Sequence, residues 1–133
     1  NASWGIENRT AAIRAIPGQD AKSTRVEYRL AGSDAHPHIA IAASLAAGLY
    51  GIRYQIDPED PLTANAYEAD ENRFESLPQS LSEAINRLDQ SDTFREILGS
   101  DFVDHYLMTR RWEYDNFSKA VTDWERQRYF EII

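Results

Sequence analysis

The stretch Thr24-Arg-Val-Glu-Tyr-Arg-Leu30 decides the fold of the first part of this chain, because charged and uncharged residues alternate along it without exception. Successive side chains of a strand point to opposite faces, and a strand rises about 3.3 Å per residue. The stretch therefore predicts a strand on which Arg25, Glu27 and Arg29 share one face, with about 6.6 Å between neighbours. On spacing alone, a charged face of this kind is solvated more often than functional, by roughly four to one.

A second strand is predicted just before the first. From Thr10 to Ile16 apolar residues occupy both faces of an alternating pattern. Pro17-Gly18 ends the pattern, because proline lacks an amide hydrogen and glycine accepts a positive φ. The two strands are expected to pair as a short antiparallel hairpin, with residues 17–23 as its loop.

The first part of the chain carries five cations, with one carboxylate embedded among them in the predicted strand of residues 24–30. The cations are Arg9, Arg14, Lys22, Arg25 and Arg29, and the carboxylate is that of Glu27. The functional interpretation is that the carboxylate holds a divalent metal while guanidinium groups bind phosphate or carboxylate oxygens. Arg9 and Arg14 would lie on opposite faces of one unbroken strand, so both can reach one ligand only if residues 7–9 form a loop or a bulge.

The rest of the chain is predicted to be mainly helical. Residues 39–50 are apolar on every side, which in a helix indicates burial all round. Residues 57–76 are rich in acidic residues and proline and predict an acidic surface excursion. The fold class expected is therefore α+β, with a β-hairpin in residues 1–30 and helices in residues 31–133.

Three more helices are predicted after the acidic excursion. Ser80 caps the first, whose apolar residues recur at helical spacing and whose Glu83 completes a capping box. Residues 92–98 predict a short second helix that Gly99 ends. The apolar pattern from residue 100 to about residue 128 predicts one long helix, because neither proline nor glycine interrupts it.

Composition limits the functions that the chain can have. With 14 basic and 22 acidic residues the net charge is −8, which disfavours non-specific binding to nucleic acid. There is no cysteine, which fits a reducing cytoplasm, and the longest nearly apolar run is well short of the roughly 20 residues that span a bilayer. His36 and His38 could ligate a metal, but without a third ligand nearby a structural role is favoured by roughly five to one.

The order of these motifs resembles the C-terminal part of the catalytic domain of the glutamine synthetase family. The resemblance is carried by Asn8-Arg-Thr-Ala-Ala-Ile-Arg14, Lys22, Arg25-Val-Glu-Tyr-Arg29 and the stretches 34–43 and 45–52. Ser3-Trp-Gly5 and residues 30–35 are similar to the branch that includes γ-glutamylputrescine synthetase. His36-Pro-His38 stands where the family usually has Asn-Pro-Tyr.

The resemblance implies an ATP-dependent ligase that joins glutamate to ammonia or to a small amine through a γ-glutamyl phosphate, as in glutamine biosynthesis. By the match of motifs it assigns Arg9 to catalysis and to ATP and glutamate, Arg14, Lys22 and Arg25 to ATP, Arg29 to glutamate, and Glu27 to Mg²⁺ or Mn²⁺. The amine acceptor stays open.

The resemblance also implies that the upstream part of a longer chain and the neighbouring subunits of a ring homo-oligomer complete the site. We therefore expect the 133 residues alone to be an inactive C-terminal fragment of a cytoplasmic enzyme. The alternative is a glutamine-synthetase-like structural or regulatory module that has lost catalysis, and the retention of the charged motif residues argues against it.

Overall fold

A computed structural model describes residues 1–69 and 73–132 of this chain. Within them three strands and five helices divide into two compact units, Asn1–Leu77 and Pro78–Ile133. The first unit holds all three strands and one helix, and the second holds the other helices. The α+β fold class is thus confirmed. No helix in the described ranges combines the length and the apolar character needed to cross a bilayer.

The first unit is built on a mixed sheet of strands β1 (Trp4–Ile6), β2 (Ile13–Ile16) and β3 (Arg25–Tyr28), in that order. β2 and β3 pair antiparallel, which confirms the predicted hairpin, and Gly18 in its loop has a φ of 63°. β1 was not predicted, and it pairs with β2 in parallel. The hairpin register places Arg14 directly opposite Glu27.

The predicted acidic excursion lies along β1. The Leu62 amide donates to the Trp4 carbonyl at 2.8 Å, and the Trp4 indole donates to the Glu59 carbonyl at 2.6 Å. Leu62 and Phe74 are buried, so the segment contributes apolar side chains to the core of the first unit. The part of the excursion at residues 70–72 lies outside the described residues.

Helix α1 (Pro37–Arg53) extends beyond the predicted residues 39–50 at both ends. The prediction that it is buried all round is wrong for the described structure, because none of its residues is buried. Ile41, Leu45 and Leu49 are 60%, 63% and 65% exposed. An apolar helix is buried only where other residues pack over it. The described residues of the first unit do not pack over α1.

The second unit contains α2 (Leu81–Asp89), α3 (Asp92–Leu98), α4 (Ser100–Lys119) and α5 (Asp123–Tyr129). The first two confirm the predicted helices, and the Ser80 hydroxyl caps α2 by accepting from the Glu83 amide at 3.1 Å. Ile85, Val103 and Leu107 form the core, with Leu88 and Leu98 packed against it.

The single long helix predicted after residue 100 is wrong, because the chain leaves the helix at Ala120 and α5 begins three residues later. Thr122 and Glu125 form a capping box there: the Glu125 amide donates to the Thr122 hydroxyl at 3.3 Å, and the Thr122 amide donates to the Glu125 carboxylate at 2.7 Å. The hydrogen bond from the Thr122 amide lowers the pKa of Glu125. A satisfied cap thus starts a new helix without any proline or glycine.

Candidate active site

Arg14 on β2 is the most buried cation of the predicted site, with a side chain that is 14% exposed. Its Nη2 donates to the Glu7 carboxylate, and its Nη1 lies 3.4 Å from Oε2 of Glu27. The contact with Glu27 follows from the hairpin register, since opposite residues on one face of paired strands are neighbours. The bond to Glu7 raises the pKa of Arg14.

Glu27 on β3 is shared by two arginines. The same Oε2 atom of Glu27 that lies near Arg14 is also 3.2 Å from Nη1 of Arg29, which lies on the same strand face. Partial burial raises the pKa of the Glu27 carboxyl, but the hydrogen bonds and positive charges of the two arginines outweigh it, so this pKa lies below its ordinary value. The carboxylate therefore stays ionised well into the acid range.

β1 ends at Ile6, so residues 7–9 lie in the loop that leads to β2, and Arg9 and Arg14 do not share one strand. Asn8 holds this loop: its Nδ2 donates to the carbonyl oxygens of Leu62 and Ala64, both at 2.9 Å, and its Oδ1 accepts from the Thr10 amide at 3.0 Å. Gly5 allows the close approach, because a Cβ there would lie 2.5 Å from the Leu62 oxygen. The side chain of Asn8 thus fixes the segment that carries Arg9.

Arg9 and Arg29 both line one cleft of about 210 Å³ in the first unit. Its lining includes Thr10, Ala66 and Tyr67. Two arginines in the lining of one cleft suit a compact anion, because arginine pairs with carboxylate or phosphate oxygens in a bidentate manner. The structure thus brings together two of the residues that the sequence assigns to a carboxylate substrate.

Lys22 and Arg25 lie apart from this cluster, at the other end of the hairpin. Lys22 is exposed in the loop, and its amide donates to the Asp20 carboxylate at 3.0 Å. Arg25 is also exposed, and its Nη1 donates to the Ser23 carbonyl at 2.8 Å. The amide of Ser23 lowers the pKa of Asp20. Within residues 1–69 and 73–132, neither Lys22 nor Arg25 is paired with Glu27.

Glu27 suits a divalent cation as a single ligand. Its side chain is 41% exposed, and carboxylate oxygen is the donor that Mg²⁺ and Mn²⁺ prefer. Among the described residues no three His, Cys, Asp or Glu side chains come close enough to hold a metal ion. Other metal ligands would therefore have to come from phosphate, water or protein beyond this cluster.

The rings of His36 and His38 are 5.4 Å apart at the start of α1, and their structural interpretation stays a prediction.

Glu7 and Asn8 are the site residues that sequence reasoning missed. The pattern Asn8-Arg-Thr10 is a signal that could have revealed the loop, because asparagine often accepts a hydrogen bond from the backbone two residues on. Glu7 gave no such signal, since its contact with Arg14 depends on a backbone φ of 52°.

Residues 1–129 match the model of a family described as glutamine synthetase, catalytic domain. The chain belongs to the glutamine synthetase family. A type-1 glutamine synthetase 2 of Dictyostelium discoideum is 47% identical over 98% of this chain and 25% of its own length. A glutamate–isopropylamine ligase of a Pseudomonas species is 41% identical over 100% of this chain and 29% of its own length. The chain thus spans between a quarter and a third of these relatives.

A solved structure has the same fold. The ADP complex of GmaS superposes with a TM-score of 0.79 at 32% identity, and the match covers 97% of this chain and 29% of the GmaS chain. The family and the fold class predicted from the sequence are therefore confirmed.

Proposed function

We propose that this chain is the C-terminal catalytic segment of an ATP-dependent ligase that joins glutamate to ammonia or a small amine through a γ-glutamyl phosphate. The observation that carries the proposal is the cleft lined by Arg9 and Arg29, together with the ion pairs of Glu27 with Arg29 and Arg14. A ligase of this class must bring two anions together, a carboxylate and a polyphosphate. Cations on both sides of one carboxylate are suited to that task.

In this proposal the charged site residues each bind part of a substrate or the metal. Arg29, together with Arg9, binds the glutamate carboxylate in the cleft, and Arg9 also neutralises charge that develops on the phosphoryl group. Arg14, Lys22 and Arg25 bind the phosphates of ATP along the hairpin, and Glu27 ligates Mg²⁺ or Mn²⁺. The metal supplies charge neutralisation at the phosphate oxygens.

The remaining parts of the site belong, in this proposal, to residues upstream in a longer chain and to neighbouring subunits of a ring. Support comes from the share of the relatives that the chain covers, 25% and 29%. The 133 residues alone are then inactive, and the whole enzyme works in the cytoplasm. The name of the Pseudomonas relative makes an alkylamine one candidate acceptor beside ammonia.

The test uses a hybrid enzyme in which residues 1–133 replace the aligned segment of the Dictyostelium relative. ADP release is measured against the concentrations of glutamate, ammonia and Mg²⁺. We expect Arg29→Gln to raise the KM for glutamate by about tenfold or more, because a charge-assisted pair is lost. Glu27→Gln should instead raise the requirement for Mg²⁺ and ATP together.

The matched control is Arg126→Gln, which removes a cation from α5 in the second unit, where the side chain is 72% exposed. It should leave all kinetic constants within about twofold of the hybrid. An assembled hybrid without glutamate-dependent ADP release would favour a module that has lost catalysis. Turnover by residues 1–133 alone would refute the prediction that the segment is inactive.

A further inference from the structure

We propose that Thr10 is a positioning residue for the cleft that Arg9 and Arg29 line: its hydroxyl holds residues 64–67 in place, so that the ring of Tyr67 covers the bound substrate. The inference rests on the proposed function, in which Arg9 and Arg29 bind glutamate. It assigns roles to two residues that the sequence motifs left without one.

The Thr10 hydroxyl joins two stretches of chain that are far apart in sequence. It accepts from the Ala66 amide at 2.9 Å, across 56 positions, and it donates to Oδ1 of Asn8 at 2.7 Å. The hydroxyl thus acts as acceptor and as donor, and valine, which has nearly the same shape, could make neither bond. Loss of the hydroxyl would also take this acceptor away from the Ala66 amide.

Residues 64–67 form a specified turn beside this bond. Oδ1 of Asn65 accepts from the Tyr67 amide at 3.1 Å, and Nδ2 of Asn65 lies 3.2 Å from the Glu68 carboxylate. An asparagine that bonds the backbone two residues on fixes the course of a turn. The position of Tyr67 therefore depends on where Thr10 holds this turn.

The bond between Thr10 and Ala66 links two parts of the lining of the cleft. Arg9 directly precedes Thr10, and Tyr67 directly follows Ala66, and all four residues line the cleft together with Arg29. Tyr67 is 86% exposed, so it offers ring surface that a bound acid would cover. An aromatic ring beside two guanidinium groups combines an apolar surface with cations.

Glutamate needs both characters, because methylene groups separate its two carboxylates. The arginines pair with carboxylate oxygens, and the Tyr67 ring removes methylene surface from water. Burying about one methylene group favours binding roughly fourfold. The methylene groups do not react, so this contribution is equal in the ground state and the transition state and acts on KM instead of kcat.

The experiment measures kcat and the KM values for glutamate and ATP in the hybrid enzyme that carries residues 1–133. Tyr67→Ala should raise the KM for glutamate about fourfold, whereas Tyr67→Phe, which keeps the ring, should leave it unchanged. Thr10→Val should raise the same KM about two- to fourfold, and Thr10→Ser, which keeps the hydroxyl, should recover the original value. Neither kcat nor the KM for ATP should change by more than about twofold.

A double variant separates positioning from a general loss of structure. If Thr10 acts through Tyr67, adding Thr10→Val to Tyr67→Ala should raise the KM for glutamate no further. Effects that multiply would mean that Thr10 acts on Arg9 or on the fold, and they would overturn the inference. Thr109→Val is the matched control, because it removes a hydroxyl that bonds the Tyr106 carbonyl at 2.7 Å within α4, and it should change nothing.

The inference and the proposed function fail in different ways. If Arg29→Gln raises the KM for glutamate but Tyr67→Ala does not, the inference is wrong and the glutamate cleft stands. If Arg29→Gln has no effect either, the glutamate assignment in the proposed function fails. A rise in Tyr67→Phe as large as that in Tyr67→Ala would mean that the ring is not what covers the substrate, and it would also overturn the inference.

Hydrogen exchange of the Ala66 amide in the unchanged hybrid keeps the test decisive if Thr10→Val does not fold. The bond to Thr10 should protect this amide, and saturating glutamate should protect it further, because a substrate that Tyr67 covers stabilises the turn that Thr10 holds. An Ala66 amide that exchanges equally fast with and without glutamate would contradict the inference.

Discussion

Asn8 holds the loop between β1 and β2 against residues 62–64, and its replacement tests that arrangement with a predicted order of effects. It takes part in four hydrogen bonds: its Nδ2 donates to the carbonyls of Leu62 and Ala64, and its Oδ1 accepts from the amide and hydroxyl of Thr10. Each is worth about 0.5–1.5 kcal/mol net, and water replaces part of the loss because the site is only partly buried. Asn8→Ala should therefore lower the free energy of unfolding by about 2 kcal/mol.

Asn8→Asp should cost more than Asn8→Ala, about 3 kcal/mol, although it is closer in shape. The acceptor for Thr10 survives, but a carboxylate oxygen then faces the Leu62 and Ala64 carbonyls at the 2.9 Å positions with no hydrogen between them. The two hydrogen bonds from Nδ2 are thus replaced by repulsion between the carboxylate oxygen and the two carbonyl oxygens.

The assay combines urea denaturation at neutral pH with hydrogen exchange of single amides. The Leu62 amide, which donates to Trp4, should lose protection in both variants, whereas the Val103 amide in the second unit should keep its protection. If the aspartate variant were as stable as the alanine variant, the donor role of the Asn8 amide group would be refuted.

Two further predictions concern the core of the second unit and the charge of the hairpin. Leu107→Ala, at a position that is 1% exposed, should lower the free energy of unfolding by about 2–5 kcal/mol, whereas Met108→Ala at the exposed neighbouring position should cost less than about 0.5 kcal/mol, as measured by thermal denaturation. Burial raises the pKa of Glu27 and the bonds from Arg14 and Arg29 lower it by more, so its carboxylate stabilises the fold above its unfolded pKa. The folded pKa of Glu27 lies below its ordinary value of 4.5, so this contribution should disappear as the pH falls through that folded pKa. The Glu27→Gln variant should therefore lose less stability over the same acid range than the unchanged chain. Equal losses in denaturation curves would contradict this account of Glu27.

The hairpin could be predicted because alternation over seven residues of one strand leaves few other structures, and the charged face then follows from the period of two. β1 could not, since three residues are too few for alternation to be recognised. The sequence does contain a signal for the break between α4 and α5. Thr122-Asp-Trp-Glu125 reads as a capping box, and a satisfied cap starts a helix as firmly as proline ends one.

For the candidate site too, part of the arrangement follows from the sequence pattern and part is seen only in the structure. The period of two puts Glu27 and Arg29 on one face of β3, whereas the contact of Arg14 with Glu27 follows from the hairpin register that the structure shows. The sequence could not predict that Arg14 also contacts Glu7, because Glu7 lies outside the predicted strands, at a backbone φ of 52°. Nor could it predict the exposure of α1, because composition does not state which surface covers a helix.

The cluster of Glu7, Arg14, Glu27 and Arg29 contains two carboxylates and two guanidinium groups, so its formal charges sum to zero. A divalent cation that arrives alone makes this balance positive, and a polyphosphate that arrives alone makes it negative. In the function proposed above, the metal offsets part of the polyphosphate charge, so each would lower the electrostatic cost of admitting the other. If both bind as proposed, metal and nucleotide are thermodynamically coupled ligands, and the factor by which one tightens the other is the same in both directions.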